Sequence, residues 1–175
     1  AVFGVFEAGM NHKGGVASLS QFIAPKIAIV TQIADSHSGN FPNLDAIAFA
    51  KAEIFEGLSH HHNSMAIINA DDPFAPLLEQ KARDAGAERI IRFGYSDTAE
   101  HQIISVRRHR DGLDIEANIR GETHRFQLGM MAPHWAKAAM IAISVVDALG
   151  LPLELAKAEL AKARDLAGRG ARSVI

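Results

Sequence analysis

The sequence contains no cysteine, and this absence excludes disulfide bonds and metal sites built from thiolates. It also has no apolar run near the ~20 residues that a membrane-spanning helix requires. The formal net charge is only −2, which gives no electrostatic reason to expect binding to nucleic acid or to an anionic membrane. What remains is the composition of an ordinary globular protein, with 48% apolar and 22% charged residues.

The length of 175 residues suits one domain with a substantial core, and we expect this domain to be a monomer. The first residues, AVFGVFEAG, enter a strand-like run without a methionine, and the last, GRGARSVI, begin a new apolar stretch. We therefore expect residues 1–175 to be one domain of a longer protein.

Short apolar runs alternate with helical patterns in the first part of the chain. Continuous apolar runs are typical of strands that are buried on both faces. The alternation predicts an α/β fold, with a mostly parallel sheet flanked by helices and right-handed crossovers. The predicted strands are residues 2–6, 27–33, 65–68 and 89–95, and the predicted helices are residues 44–58 and 73–85, the second of them capped by Asp72.

The second part of the chain has a different pattern, with partly alternating strands separated by turn residues. Asp111-Gly112 and Gly121-Glu122 are typical of hairpin turns. This pattern predicts a small antiparallel sheet appended to the parallel one, followed by two helices. The predicted strands are residues 101–110, 113–120 and 123–128, and the predicted helices are residues 133–149 and 153–166.

Lys51 is the residue that fits its predicted surroundings least well. It lies in the middle of the apolar face of the helix at residues 44–58. A buried ammonium costs on the order of several kcal/mol unless it is paired or chemically changed. Lys51 therefore either extends its ammonium to the rim of the core or serves a function. A neutral amine there could react with CO₂ to give a carbamate, an anionic ligand with two oxygens.

Polar residues follow each of the first three predicted strands, at the edge where parallel sheets bind ligands. Carboxylates and imidazoles in such a set can hold a divalent cation, and carboxylates suit Mg²⁺. Structural explanations stay open for each of them, such as a strand end for Glu7, a polar loop for His37 and a helix cap for Asp72. The set consists of Glu7, Asn11 and His12, then Asp35, Ser36 and His37, then Asn69, Asp71 and Asp72.

Four stretches of the sequence resemble motifs of the Mur ligase family, in its central, ATP-using domain. Residues 7–16 are similar to E-x-G-x-N-x-x-G-E-I, and residues 25–37 to P-x-x-A-x-x-T-N-I-x-x-x-H. Residues 47–54 are similar to I-A-x-x-K-x-E-I, and residues 69–72 match N-x-D-D. The E-x-G-x-N form is that of the family members that add D-alanyl-D-alanine in peptidoglycan synthesis.

The resemblance implies roles for single residues. Glu7 and His37 would be magnesium ligands, and Lys51 would be a carbamylated lysine that helps to hold a second magnesium. These three would also be the catalytic residues. Asn11, His12, Asn69 and His134 would contact nucleotide or substrate.

The resemblance also implies a reaction, namely ATP-dependent amide formation in the bacterial cytoplasm. The carboxylate of a UDP-N-acetylmuramoyl-tripeptide would attack the γ-phosphate of ATP in the presence of Mg²⁺. The amine of D-Ala-D-Ala would then attack the resulting acyl phosphate. Two other functions stay open, a related ligase with another acceptor (folylpoly-γ-glutamate or cyanophycin type) and a non-catalytic binding module.

The chain departs from the family pattern at several places. The phosphate-binding loop G-x-x-G-K-[ST] does not occur in it, and we expect this loop upstream of Ala1 and a carboxy-terminal domain after Ile175. The fragment alone should then be inactive. His134 fits the G-R-H-x-x-x-N stretch of the family, but Ala138 stands where an asparagine contacts adenine.

Overall fold

The computed structural model describes residues 3–10, 12–35 and 41–164. The strands of this part form one mixed sheet in which they follow one another in chain order. The first and second strands pair in parallel, as do the third and fourth, whereas the last three are antiparallel. The predicted α/β class with an antiparallel part is thereby confirmed. The strands are β1 (Ile27–Val30), β2 (Met65–Asn69), β3 (Arg89–Gly94), β4 (His101–His109), β5 (Gly112–Ile119) and β6 (Glu122–Leu128).

Helices connect or follow the strands. Among the described residues, none is both long enough and apolar enough to cross a bilayer. The helices are α1 (Gly15–Ile23), α2 (Leu44–Ala52), a 3₁₀ helix (Glu53–His60), α3 (Ala75–Asp84), α4 (Trp135–Ala148) and α5 (Leu153–Lys162).

The chain divides into two compact units, residues 1–90 and 91–175, and the division lies within β3. In the first unit, β2 is buried along its whole length, as its unbroken apolar run predicts. The core around it contains Ile47, Phe55, Leu58 and Leu78, all of which are at most 1% exposed. α2 begins at Asn43, whose side-chain oxygen accepts a hydrogen bond from the backbone N–H of Ala46 at 2.9 Å.

The second unit contains the antiparallel meander and the two last helices. β5 alternates strictly, with Leu113, Ile115, Ala117 and Ile119 buried and the residues between them half-buried. This period-2 pattern is the one that predicted the meander, and the strand bounds differ by at most one residue from those predicted.

A buried polar network joins β4 to α4 within the second unit. The ring of His101 is fully buried, with Nδ1 at 2.7 Å from the hydroxyl of Ser144 and Nε2 at 3.3 Å from a carboxylate oxygen of Asp147. The other carboxylate oxygen of Asp147 accepts a hydrogen bond from Arg120 at 2.9 Å. Because these groups are buried, their contacts help to hold β4 and α4 together.

The strand predicted at residues 2–6 is wrong for the residues that the structure describes. Residues 3–6 form neither strand nor helix, and Phe3, Val5 and Phe6 are 56%, 95% and 68% exposed. An apolar run makes a buried strand only when neighbouring strands saturate its backbone hydrogen bonds, and a single segment of sequence carries no information about its neighbours.

Two predicted helices and one predicted cap need correction, and one helix was not predicted. The helix at residues 44–58 is α-helical only to Ala52 and continues as the 3₁₀ helix, and the helix after β2 begins at Ala75, with Pro76 in its first turn. Asp72 does not cap it; its carboxylate instead stabilises the preceding turn by accepting from the backbone N–H of Phe74 at 2.9 Å. α1 was not predicted, because Gly14-Gly15 at its start suggests a loop.

Candidate functional site

The carboxyl ends of β1 and β2 lie side by side. The strands are parallel and in register, with Val30 opposite Ile68. The chain segments that follow them, residues 31–35 and 69–72, therefore leave the sheet at the same edge. We call this place the strand-end site. It lies wholly within the first unit.

Two side chains, one from the last residue of β2 and one from the turn after it, hold the segment after β1. The side-chain amide of Asn69 donates to the backbone carbonyl of Thr31 at 3.1 Å. A carboxylate oxygen of Asp72 accepts from the backbone N–H of Ile33 at 2.6 Å, a short bond to a charged acceptor. Both side chains are buried, so these bonds are protected from competition by water.

Lys51 completes this arrangement from α2. Its ammonium donates to the backbone carbonyl of Gln32 at 2.8 Å. Residues 31 to 33 are thus each held through a backbone group by a different side chain. In order along the segment, these side chains are those of Asn69, Lys51 and Asp72. The chain is thus fixed in place directly after β1. The predicted magnesium ligand His37 follows this fixed segment four residues later in the sequence.

The protonation of Lys51 is governed by two opposing effects. Partial burial lowers the pKa of its amine below the ordinary value, and the nearby charge of Asp72 raises it by a smaller amount. The desolvation effect is the larger, so the ammonium of Lys51 loses its proton more readily than that of an exposed lysine. The resulting neutral amine is the form that reacts with CO₂.

The other predicted site residues are placed as follows. Glu7 is exposed in a segment without helix or strand, and His12 is exposed with Nδ1 at 3.0 Å from the carbonyl oxygen of Lys13. His134 directly precedes α4 in the second unit, with its ring centroid 5.0 Å from that of Trp135. Asn11 and His37 lie outside the described residues.

The structure thus brings together Lys51 and Asn69, with Asp72 as the third member. In the described ranges, 3–10, 12–35 and 41–164, no three histidine, aspartate or glutamate side chains gather in a way that could hold a metal ion. The predicted ligand set of Glu7, His37 and Lys51 stays a prediction. An ammonium has no lone pair, so Lys51 could join such a set only after modification.

Sequence reasoning missed the role of Glu53. Its carboxylate accepts hydrogen bonds from the backbone N–H of Gly14 at 2.8 and 2.9 Å and from that of Ala17 at 3.3 Å. It thereby caps α1 from 36 or more residues away along the chain. The missed signal was Gly14 itself, because a glycine at an N-cap has no side chain to satisfy the first amides.

Replacing Lys51 with methionine should raise the melting temperature slightly at neutral pH. Folding keeps Lys51 partly desolvated and lowers its pKa, so the folded state binds this proton less tightly than the unfolded state does. Stability then rises with pH between the folded pKa and the ordinary value of 10.5, and the advantage of methionine shrinks over the same window.

Thermal unfolding of both proteins in CO₂-depleted buffer, at several pH values up to about 10, would check this. A Lys51→Met advantage that grows with pH would contradict it. Lys26→Met is the matched control, because Lys26 is exposed at the opposite end of β1.

Comparison with known proteins gives one family. The family model of the Mur ligase middle domain matches residues 1–146. The UDP-N-acetylmuramoyl-tripeptide–D-alanyl-D-alanine ligase of Rickettsia prowazekii is 29% identical over 168 residues, which are 96% of this chain and 37% of that protein. The chain spans about a third of the length of the curated relatives that it matches.

Solved structures show the same fold. MurF from Acinetobacter baumannii aligns with 92% of this chain and 34% of its own, with a TM-score of 0.82 and 23% identity. The MurF ligase from Thermotoga maritima, solved in complex with ADP, aligns with 89% of this chain and 34% of its own, with a TM-score of 0.74 and 17% identity.

Proposed function

Because the chain belongs to the Mur ligase family, through its middle domain, we propose that it is the central part of an ATP-dependent amide ligase. The proposed reaction adds D-Ala-D-Ala to UDP-N-acetylmuramoyl-tripeptide. The observation that carries this proposal is the alignment of most of the chain with relatives that are all named as ligases of this one activity. The strand-end site supports it, since it presents a partly desolvated lysine where parallel sheets bind ligands.

The proposed chemistry proceeds in two steps. A carboxylate oxygen of the tripeptide attacks the γ-phosphorus of ATP, forming an acyl phosphate and releasing ADP. The amine of D-Ala-D-Ala then attacks the acyl carbon, so that an amide forms, inorganic phosphate leaves and the amine loses a proton. Positioning and charge stabilisation provide most of the catalysis in phosphoryl transfer.

Magnesium and ATP are the proposed cofactors. Bound magnesium would neutralise charge on the phosphates. Glu7, His37 and Lys51 are the residues that we propose to hold it, with Lys51 as a carbamate. These three residues suit a magnesium ion only when Lys51 is a carbamate, because magnesium prefers oxygen ligands. The lowered pKa of the Lys51 amine favours this modification. Asn69 and Asp72 keep the segment from Thr31 to Ile33 in place beside it.

The remaining parts of the site are proposals of the same kind. Asn11, His12 and Asn69 would lie near nucleotide and substrate, and His134 near the nucleotide. The phosphate-binding loop and the carboxy-terminal domain would be contributed by other segments of a longer, monomeric protein, with residues 1–175 as its central domain. We place the reaction in the bacterial cytoplasm, where the proposed substrates are made.

Phosphate release by the full-length protein tests the proposal. With Mg-ATP, the UDP-linked tripeptide and D-Ala-D-Ala together, we expect release at a rate of roughly 1–100 per second, within the range of typical enzymes. Omitting either the tripeptide or the dipeptide should abolish it. Release with glutamate or aspartate-containing acceptors instead of D-Ala-D-Ala would point to another member of the family, and no release from a folded protein would contradict the proposal.

A further inference from the structure

Glu53 is a charged residue of the first unit that the proposed reaction does not use. Its carboxylate accepts from two backbone N–H groups at the start of α1, that of Gly14, which is shared between both oxygens, and that of Ala17. A carboxylate at a helix N-terminus is stabilised both by these amides and by the helix dipole. Gly14, the N-cap residue, adopts a left-handed backbone with φ of 84° and has no side chain that could cap α1, so the cap comes from Glu53.

The turn that Glu53 holds carries His12. The backbone N–H of Gly15 donates to the carbonyl of His12 at 3.3 Å, and the imidazole ring lies close over Gly15. A Cβ on Gly15 would come within 3.1 Å of the His12 ring. The position of the imidazole is therefore set by the first turn of α1.

The chemistry of the His12 ring follows from the same turn. Nδ1 lies 3.0 Å from the carbonyl oxygen of Lys13, and a carbonyl oxygen can only accept a hydrogen bond. Nδ1 therefore carries the proton in the neutral ring. Nε2 then has its lone pair directed away from this bond, and in the exposed ring it can accept a hydrogen bond from a ligand.

Glu53 also lies two residues after Lys51. The residue between them, Ala52, is buried in the core. One short piece of chain thus directs a lysine to the strand-end site and a carboxylate to the His12 turn. Additional contacts between α1 and the 3₁₀ helix, from Ser20 to Ile54 and Gly57, keep the two helices in fixed register.

We propose that Glu53 is a positioning residue, which acts through His12 by holding the turn of residues 12–17 at a fixed place relative to Lys51. The catalytic part of this proposal rests on the proposed function. The holding itself does not, because it follows from the hydrogen bonds of Glu53 alone.

Backbone amide exchange in the full-length protein tests the holding. In the Glu53→Gln variant, the amides of Gly14 and Ala17 should exchange about tenfold faster, as expected when a charged cap is lost. Glu56→Gln is the matched control, since Glu56 lies in the same 3₁₀ helix and its exposed carboxylate accepts a hydrogen bond from the side-chain amide of Gln21 at 3.2 Å rather than from a backbone amide of α1. Equal exchange in the two variants would overturn the proposal.

Kinetics of the ligase reaction test the action through His12. Glu53→Gln should lower kcat about tenfold, because small misplacements of an oriented group have effects of this size or larger. In a His12→Ala background the same substitution should have almost no further effect on kcat, since the group that it positions is already gone. Additive losses would indicate a purely structural role and overturn the proposal.

Two further measurements keep the outcome decisive. If Glu53→Gln does not fold, Glu53→Asp retains the charge but is shorter by one methylene, and the same comparisons apply to it. If the wild-type protein has no ligase activity, the proposed function is wrong, while the exchange rates still decide whether Glu53 holds the turn.

Discussion

Replacing Lys51 with alanine in the full-length protein is expected to lower the rate of phosphate release by at least about a hundredfold, as for loss of a group that positions phosphate charge. The fold should change little, because Lys51 is only half-buried and, within the part of the chain that the structure describes, donates one hydrogen bond, to the carbonyl of Gln32. Asn69 and Asp72 would still hold the neighbouring residues of that segment. The expected result is thus a folded protein without activity.

The rate is measured with saturating Mg-ATP, the UDP-linked tripeptide and D-Ala-D-Ala. If the carbamate is the active form, a short carboxylate such as acetate or formate should restore part of the activity of Lys51→Ala, because it supplies the missing oxygens. Lys26→Ala should retain full activity, since Lys26 is exposed at the other end of β1. A Lys51→Ala protein with unchanged activity would remove Lys51 from the mechanism.

Much of this fold can be predicted from local patterns. The strands β2 and β3 and the meander follow from unbroken or alternating apolar runs, and their bounds differ from the predicted ones by at most one residue. The family prediction is confirmed by the match of the Mur ligase middle domain to residues 1–146. Sequence alone could give it, because the motifs combine residue types and spacings that a fold alone does not require. Lys51 was found as an exception to the apolar pattern, and the structure places it in contact with the chain that leaves β1.

What could not be predicted depends on contacts between distant segments. The cap on α1 comes from Glu53, so residues 12–23 do not contain the side chain that caps this helix. The exposed apolar run at residues 3–6 looks like a buried strand, because sequence reports hydrophobicity and not the presence of a pairing partner. Asp72 was expected to cap a helix, but its buried carboxylate bonds a backbone amide 39 residues away.

Substituting alanine for Gly57 is expected to reduce the free energy of unfolding by about 3 kcal/mol, at the upper end for overpacked positions. A Cβ at Gly57 would overlap the backbone of Ser20, lying 2.6 Å from both its carbonyl carbon and its hydroxyl oxygen. This carbonyl belongs to α1 and cannot rotate away as a flexible side chain could. Denaturant unfolding of the two proteins measures the difference.

Gly9→Ala is the matched control, since it adds the same methyl group where no heavy atom of the residues described in the structure lies within 4 Å, and it should change stability by less than about 0.5 kcal/mol. The result for Gly57→Ala also bears on the positioning of His12. α1 can remain fixed by Glu53 only if its backbone stays in contact with the 3₁₀ helix at Gly57. A Gly57→Ala protein as stable as the wild type would mean that α1 shifts readily on the 3₁₀ helix, and a helix that shifts could not hold an imidazole at a fixed place relative to Lys51.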